Sequence, residues 1–184
     1  MDHVLIKFPE ETIDRAALLA LPGALPDAAW LYHAVEHAES YALLETAAPD
    51  SMAAALRQAH PRARLVPLTL TTDLAGASAG HAAPWFYVVE TDVKTAAEDD
   101  FNRWYEEEHL PGLASVPGTV RARRYLARAG SPRYYAFYEL ATRETFGSPP
   151  WLAVRASDWS SRVRPNFINT KRTMFRAAPA QPEA

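Results

Sequence analysis

The stretch TTDLAGASAGHAAP, residues 71–84, separates two runs of sequence that have the character of β-strands. It is rich in Ala, Gly, Ser and Thr, a composition typical of linkers. The run ARLVPLTL precedes it and the run WFYVVETDV follows it. We therefore predict an N-terminal unit over residues 1–74, a linker over 75–84, a C-terminal unit over 85–178 and a disordered tail over 179–184.

Each of the two units has the same predicted order of elements, strand, helix, strand, strand, helix, strand. In the first unit, strands are predicted at 4–8, 30–35, 40–47 and 64–71, and helices at 12–20 and 50–60. In the second unit, strands are predicted at 85–93, 119–127, 133–141 and 170–177, and helices at 96–109 and 143–162. This order is ferredoxin-like. It predicts an α+β fold of two tandem units packed sheet to sheet as an intramolecular α/β barrel, because helices cover only one face of each sheet.

Short local matches support the comparison of the units. The sequence LPG at 21–23 aligns with VPG at 116–118, and YALLE at 41–45 aligns with YAFYE at 135–139. The units differ in one place, since the second has roughly a dozen more residues between its first strand and its Pro-Gly turn. That insertion carries FNRWYEEEHLPG, residues 101–112. We expect the function to lie in the C-terminal unit.

The inserted helix has one face of mixed chemistry. At about 100° per residue, one stripe collects Phe101, Trp104, Tyr105, Glu108 and His109. A carboxylate on a face that meets a sheet needs a partner. We expect Glu108 to be largely buried and bonded to an arginine of the following strand, Arg124 or Arg121.

His109 is predicted to lie at the end of this helix, immediately before a proline stops it at position 111. The dipole at a helix C-terminus favours the protonated imidazole. On this interpretation, His109 could act as an acid or a base near pH 7. The alternative is that His109 and Glu108 only hold the helix against the neighbouring strand.

The pattern D-x-F-x-x-W-Y-x-x-E-H-x-P, followed by P-G and R-R-Y, resembles the EthD-like branch of the dimeric α/β-barrel superfamily. The matching residues are Asp99, Phe101, Trp104, Tyr105, Glu108, His109, Pro111, Pro117, Gly118, Arg123, Arg124 and Tyr125. The resemblance covers residues 85–176, whereas the first unit matches only in element order and in its Pro-Gly turn. Most such proteins carry one unit per chain and form the barrel by dimerisation, so a tandem fusion departs from that pattern.

The resemblance implies a fold that hosts quinone-forming monooxygenases, polyketide cyclases, isomerases and haem-dependent enzymes. We expect a cofactor-independent enzyme, of cyclase, isomerase, dehydratase or monooxygenase type, acting on a small hydrophobic aromatic or polyketide-like compound. The expected catalytic residues are His109, Tyr105 and Glu108. The expected substrate-binding residues are Trp104, Phe101, Arg124, Tyr125 and Tyr135. Two alternatives stay open, a non-catalytic ligand-binding or stress-associated barrel and a haem-binding enzyme.

Two further motifs are set aside. The sequence GASAG at 76–80 fits the G-x-S-x-G pattern of α/β hydrolases, but that chemistry needs a strand-to-helix turn, and here a linker is expected. The sequence HAVEH at 33–37 fits a zinc-protease pattern whose two histidines share a helical face. Because the order of elements assigns His33 to a strand and His37 to a turn, we expect no metal site. The aromatic residues of the C-terminal strands are expected to be mostly core, though they could also line a pocket.

Composition limits the partners. The 19 Lys and Arg nearly balance the 22 Asp and Glu, so no basic field favours nucleic acid or an anionic membrane. The chain has no cysteine, which excludes disulfides and thiolate ligands and suits a cytoplasmic location. The N-terminal sequence fits neither a signal peptide nor a membrane span. We expect a small hydrophobic ligand, no required cofactor, and an outer surface that allows a homodimer.

Overall fold

Strands provide most of the regular structure in the computed structural model, which describes residues 2–24 and 29–178. In chain order they are β1 (Asp2–Pro9), β2 (Ala29–Ala34), β3 (Glu39–Thr46), β4 (Arg64–Ala75), β5 (Trp85–Val93), β6 (Thr119–Ala127), β7 (Tyr134–Leu140) and β8 (Phe167–Ala177). The helices are α1 (Arg15–Leu19), α2 (Pro49–Ala59), α3 (Glu98–Trp104), α4 (Leu110–Ala114), α5 (Pro149–Arg155) and α6 (Asp158–Val163). A π-helical turn, Tyr105–His109, joins α3 to α4.

The hydrogen-bonded strand order is β1-β3-β2-β8-β5-β7-β6-β4, which closes into an antiparallel barrel. Within this order β4-β1-β3-β2 and β8-β5-β7-β6 each follow the sequence fourth, first, third, second, as in a ferredoxin-like sheet. The predicted α+β barrel is therefore confirmed. That the two halves are a tandem repeat stays a prediction.

The chain divides into two compact units. Unit 1 comprises the described residues of 1–69, 127–129 and 174–184, and unit 2 comprises 70–126 and 130–173. Both β4 and β8 contribute residues to each unit. The domain boundaries predicted at 74 and 85 stay predictions, and the predicted tail at 179–184 lies outside the described residues.

Unit 1 has an apolar core under short helices. Asp14 caps α1 by accepting a hydrogen bond from the Ala17 N–H at 2.7 Å, which satisfies one of the free donors at that helix start. Leu18 of α1 and Met52 of α2 are fully buried against β1 and β3. The core cluster consists of Val4, Ile6, Phe8, Ile13, Leu18, Leu21, Ala29, Leu31, Ala42, Leu44, Met52 and Leu56.

The first helix of unit 2 does not end before Pro111, so that prediction was wrong. The helix continues to Ala114 because Pro111 lies in the first turn of α4, where a missing backbone N–H is tolerated. The Leu110 N–H donates to the carbonyl of Tyr105, five residues back, which is the π-helical hydrogen bond. His109 therefore lies inside a helix rather than at its end.

The two Pro-Gly turns adopt the same backbone conformation. Gly23 and Gly118 both lie in the left-handed region, with φ of 77° and 96°. A Cβ at either position would fall within 3 Å of a threonine hydroxyl, that of Thr46 or Thr145. Glycine is required at these turns for both reasons. Gly118 leads directly into β6, which begins at the next residue.

In the ranges 2–24 and 29–178, the helices all fall short of the length and apolar character that a membrane span needs.

Candidate functional site

The π-helical turn decides which side chains of the inserted helix face the sheet of unit 2. Phe101, Trp104, Tyr105 and His109 are buried, and Glu108 is half-buried. The wider π-helical turn advances the helix by one extra residue, so His109 takes the position on the buried face that a regular α-helix would share with Glu108. Such turns are frequent at functional sites.

A cavity lies between this helix and the sheet of unit 2, and we call it the His109 cavity. Its lining residues are Tyr87, Val89, Trp104, Tyr105, His109, Leu113, Tyr138, Trp151, Arg155, Arg164, Phe167 and Arg172. A water-sized molecule can occupy about 20 Å³ of it, enough for roughly one water molecule. The space between the lining side chains that is free of protein atoms, open solvent included, is about 340 Å³. Arg155, Arg164 and Arg172 are the more exposed part of the lining, and we call their side the mouth; the buried side chains of Trp104, His109, Tyr138 and Trp151 form the side that we call the narrow end.

His109 is held rigidly in this cavity. Its ring stacks on Trp104 with centroids 4.0 Å apart and meets the edge of Tyr105 at 5.3 Å. Burial, with a smaller contribution from Arg155 and Arg164, lowers the pKa of His109 to about 3. The imidazole is therefore neutral at pH 7. The helix dipole that was predicted to favour the protonated form is outweighed by burial, and the helix end itself lies five residues further on.

Three buried polar atoms in this cavity have no hydrogen-bond partner within the described part of the chain. They are Nδ1 of His109, Oη of Tyr138 and Nε1 of Trp151. Leaving a buried donor or acceptor unpaired costs on the order of 1–3 kcal/mol each. Native proteins keep few such groups, and they commonly belong to a site that takes water or a ligand. The Trp151 N–H can only donate, whereas the other two groups can donate or accept.

The phenols around the cavity are neutral at physiological pH. Burial raises the pKa of Tyr105 to about 12, against a smaller opposing effect of Arg124. The pKa of Tyr138 is raised well above its ordinary value, and that of Tyr87 is also raised, in both cases chiefly by burial. Each phenol therefore keeps its O–H and can donate a hydrogen bond.

Three arginines reach the outer part of the cavity from three different elements. Arg155 is the last residue of α5, Arg164 follows α6, and Arg172 lies on β8. Burial lowers the pKa of Arg164, and repulsion by Arg155 and Arg172 adds to that effect. Among the described residues no carboxylate forms an ion pair with any of the three. The cavity lining also includes no acidic residue.

Glu108 is not part of the cavity lining, and its predicted arginine partner was wrong. Its carboxylate accepts a hydrogen bond from the Ser157 hydroxyl at 2.5 Å. Ser157 is the N-cap of α6, and its Oγ accepts the N–H of Ser160 at 3.0 Å. Arg121 instead pairs with Asp73, and Arg124 bonds Asn102. The extra residue of the π turn rotates Glu108 towards α6, away from β6.

The same serine pair also fixes Trp104. The Trp104 indole N–H donates to the Ser160 hydroxyl at 3.2 Å, and that hydroxyl donates to the carbonyl of Val154 at 3.1 Å. The helix of unit 2 is therefore tied to α6 through Trp104 and Glu108 at once. This arrangement holds the ring on which His109 stacks.

Arg124 lies on the same face of the sheet but lines a different space. Its guanidinium donates to Asn102 Oδ1 at 2.6 Å and lies 4.6 Å from the Tyr105 ring centroid. It also lies over the rings of Phe101 and Tyr134, at 5.1 Å each. The adjoining groove of about 430 Å³ is lined by Thr71, Thr72, Glu98, Asp99, Asn102, Glu106, Arg124, Leu126, Arg133 and Tyr134. Phe101 packs behind Tyr105 and reaches neither the groove nor the cavity lining.

Tyr125 and Tyr135, both predicted to bind substrate, lie on the opposite face of the sheet. They face each other directly across β6 and β7, whereas Arg124 faces Ala136. Because successive side chains alternate between faces, neither tyrosine can reach the cavity under the helix. Tyr125 instead accepts a hydrogen bond from Arg123 at 3.0 Å.

The structure therefore brings together His109, Tyr105 and Trp104 of the predicted site, and adds residues that were not selected from the sequence. Tyr87 and Tyr138 are direct partners across β5 and β7. Strand alternation could have identified Tyr138, because its side chain lies on the same face of the sheet as Arg124, whereas that of Tyr135 lies on the opposite face. Trp151 and the three arginines lie on separate elements, so no local spacing pointed to them.

The two motifs set aside serve structural roles. His33 lies in β2 and its Nε2 is 2.8 Å from the carbonyl oxygen of Ile13, while His37 in the following turn contacts Glu39 at 3.0 Å. The Ser78 hydroxyl accepts the backbone N–H of Gly118 at 2.8 Å, in a turn rather than a strand-to-helix elbow. Within residues 2–24 and 29–178, no three His, Cys, Asp or Glu side chains group as metal ligands would.

No protein-family model matches the sequence, and no curated protein sequence matches it. Solved structures do match. A protein of Fusobacterium nucleatum assigned as a monooxygenase aligns with a TM-score of 0.66 at 11% identity, over 97% of this chain and 92% of that one. An anthrone oxidase-like protein aligns with a TM-score of 0.66 at 13% identity, over 97% and 91%.

A heme-degrading enzyme from Listeria monocytogenes aligns with a TM-score of 0.57 at 10% identity, over 96% of this chain and 99% of that one. The matches extend over nearly the whole length of both chains. At these identities the likeness shows the fold, which is that of the dimeric α/β-barrel proteins.

Proposed function

We propose that this protein is a cofactor-independent enzyme that acts on a small hydrophobic compound, aromatic or polyketide-like, with neutral His109 as general base. The observation that carries the proposal is the group of three unpartnered buried polar atoms, on His109, Tyr138 and Trp151, in one aromatic cavity. Unpaired buried polar atoms lower the stability of the fold, so their presence together in one cavity indicates that a ligand pairs with them.

The protonation states suit the removal of a proton from a weak carbon or oxygen acid. His109 is neutral and therefore free to accept a proton. Its low pKa makes it a weak base in the empty cavity. The negative charge that forms on the substrate would favour the imidazolium beside it and offset the cost of burying either charge alone.

The buried donors suit the product of that step. The Trp151 N–H and the neutral Tyr138 O–H can both donate to an oxygen that gains negative charge as a proton leaves the ring system. Donors held in place before the reaction stabilise developing charge without reorganisation. His109, Tyr138 and Trp151 thus provide a base and two hydrogen-bond donors around one small space.

Among the reaction types left open by the sequence, quinone-forming oxygenation has the most support. Structural neighbours named as monooxygenases and as an anthrone oxidase-like protein share the fold. In such a reaction a ring CH₂ loses a proton and the resulting carbanion transfers an electron to O₂. Recombination forms a carbon–oxygen bond, and loss of water leaves a carbonyl, so that the substrate plus O₂ gives quinone plus water.

Haem does not fit the residues as they are placed. A neutral histidine with an unpaired nitrogen has the right chemistry for an iron ligand, and a heme-degrading enzyme is among the structural neighbours. However, a water-sized molecule has only about 20 Å³ in this cavity, so a tetrapyrrole would have to displace most of the lining, whereas a substrate of two or three rings displaces far less. A substrate would need to bring only one polar atom to the narrow end. We derive no step through haem, and the absence of a Soret band after haem addition would agree.

The test uses 1,8-dihydroxyanthrone as the probe, with O₂ uptake and quinone absorbance as readouts. We expect His109→Gln to lower kcat/KM by about 100-fold, the usual size of a general-base contribution. His33→Gln is the matched control, since its imidazole contacts only backbone in unit 1. An equal rate in His109→Gln would overturn the role of His109. No turnover of any aromatic CH acid by the wild-type protein would favour the non-catalytic ligand-binding alternative.

Three further predictions from the sequence, on family branch, cellular location and oligomeric state, remain proposals. The EthD-like branch rests on the motif at 99–125. The cytoplasmic location rests on composition. Homodimerisation rests on the outer surface, which could still pair although the barrel closes within one chain.

A further inference from the structure

The mouth of the His109 cavity has a charge that the rest of the protein does not share. The chain carries a formal net charge of −3, yet the only charged residues in the described cavity lining are Arg155, Arg164 and Arg172. The neighbouring groove, by contrast, mixes Arg124 and Arg133 with three acidic residues.

This arrangement is unfavourable in the free protein. Arg155 and Arg164 are half-buried and repel each other and Arg172, and no carboxylate of the described residues compensates them. Several exposed arginines of unit 2 do have such partners, as Arg162 has Asp100 and Arg121 has Asp73. Three like charges brought to one opening by three separate elements point to an anion that binds there.

The other residues of the cavity lining indicate what kind of anion would bind there. Behind the arginines the walls are the rings of Tyr87, Trp104 and Phe167, and the narrow end holds the unpartnered atoms of His109, Tyr138 and Trp151. The cations therefore lie nearer to solvent than the buried rings and the unpartnered polar atoms. A flat molecule with an anionic group at one end and an oxygen at the other matches that arrangement.

We propose that the ligand is an aromatic hydroxy-acid, whose carboxylate is bound by Arg155, Arg164 and Arg172 while its ring oxygen reaches His109. This inference rests on the proposed function and adds the substrate class. Arginine suits the role because its planar guanidinium can bind a carboxylate through two parallel hydrogen bonds. The arginines then determine specificity, and the reacting groups lie at the opposite end.

The test compares two probes that differ by one carboxylate, 6-hydroxy-2-naphthoate, whose hydroxyl and carboxylate lie at opposite ends of the ring system, and 2-naphthol, with binding measured by calorimetry at low salt. We expect the acid to bind at least about tenfold more tightly, the gain typical of a charge-assisted hydrogen bond. Arg172→Gln and Arg164→Gln should each weaken the binding of the acid about tenfold and leave the binding of 2-naphthol unchanged. Arg143→Gln, at an exposed site outside the lining, is the matched control and should change neither.

Arg172 is exposed, so its replacement should not disturb folding, and thermal melting checks this. Equal binding of the two probes, or arginine variants that bind the acid as tightly as the wild type, would overturn the inference while leaving the proposed function in place. Displacement of the acid by inorganic phosphate at equal concentration would also overturn it, in favour of a phosphate ligand. If neither probe bound, both the inference and the proposed cavity would fall.

Discussion

The two units place different helices over sheets of the same strand order. In unit 1, α1 has 5 residues and rests on an apolar cluster that includes Leu18, Ile6 and Leu44. In unit 2, α3, the π turn and α4 have 7, 5 and 5 residues and cover a cavity with unpaired polar atoms. One helix–sheet interface is filled for stability, and the other keeps groups that a ligand would satisfy.

The cost of the second arrangement is considerable on the scale of a single domain. Three unpaired buried atoms at on the order of 1–3 kcal/mol each are comparable with much of a typical net stability. The ties from Trp104 to Ser160 and from Glu108 to Ser157 partly offset this cost. The helix–sheet interface of unit 2 therefore has the features of a binding site whose side chains are held in place by hydrogen bonds. The helix–sheet interface of unit 1 has the features of an ordinary apolar core.

The largest expected effect concerns the titration of His109. Its pKa is about 3 in the folded protein and about 6.5 when unfolded, so the unfolded chain binds more protons between these values. The associated stability is present above pH 6.5 and is lost as the pH falls towards 3. Between pH 7 and pH 5 the wild type should lose about 2 kcal/mol more than His109→Gln, as measured by urea unfolding.

The control for this prediction is His33→Gln in unit 1, which should keep the pH dependence of the wild type. The same pKa predicts that kcat/KM has no acid limb near pH 6.5, because the base is already neutral. Parallel pH curves for the wild type and His109→Gln would mean that His109 is solvated, and the contrast between the two interfaces would then disappear.

A smaller effect compares two tyrosines on the same face of β7. Tyr138→Phe removes a hydroxyl that has no partner among the described residues, so we expect a gain of about 1 kcal/mol in unfolding free energy. Tyr134→Phe removes a hydroxyl that donates to Glu98, so we expect a loss of about 1 kcal/mol. Chemical denaturation of both variants measures the difference. A loss in Tyr138→Phe equal to that in Tyr134→Phe would show that Tyr138 has a partner in solution.

Much of the fold could be predicted from the sequence. Alternating apolar residues, Pro-Gly turns and the order of elements identified all eight strands, and β5 and β6 match their predicted bounds. Local pattern carries this information because strand alternation is a property of neighbouring residues. The predicted helix end at Pro111 was wrong. Proline has no backbone N–H to donate, but the π-helical turn before it has already shifted the hydrogen-bond register, so the helix continues through this residue.

The site was only partly predictable. The stripe that holds Trp104, Tyr105 and His109 followed from helical spacing. The π turn, which directs Glu108 away from the face that His109 occupies, could not be recognised from the composition of the segment. Tyr135 was chosen over Tyr138, although strand parity relative to Arg124 distinguishes them. Arg155, Arg164 and Arg172 meet only in the folded chain, because they lie on α5, in the turn after α6 and on β8, and no single element carries more than one of them.

The most direct test of the central claim is a crystal structure of the protein soaked with 6-hydroxy-2-naphthoate at saturating concentration. We predict density for one molecule in unit 2, with its hydroxyl within hydrogen-bond distance of His109 or Tyr138 and its carboxylate at the arginines, and no density beneath α1 in unit 1. Density beneath α1, or an empty His109 cavity with the probe bound elsewhere, would contradict the account.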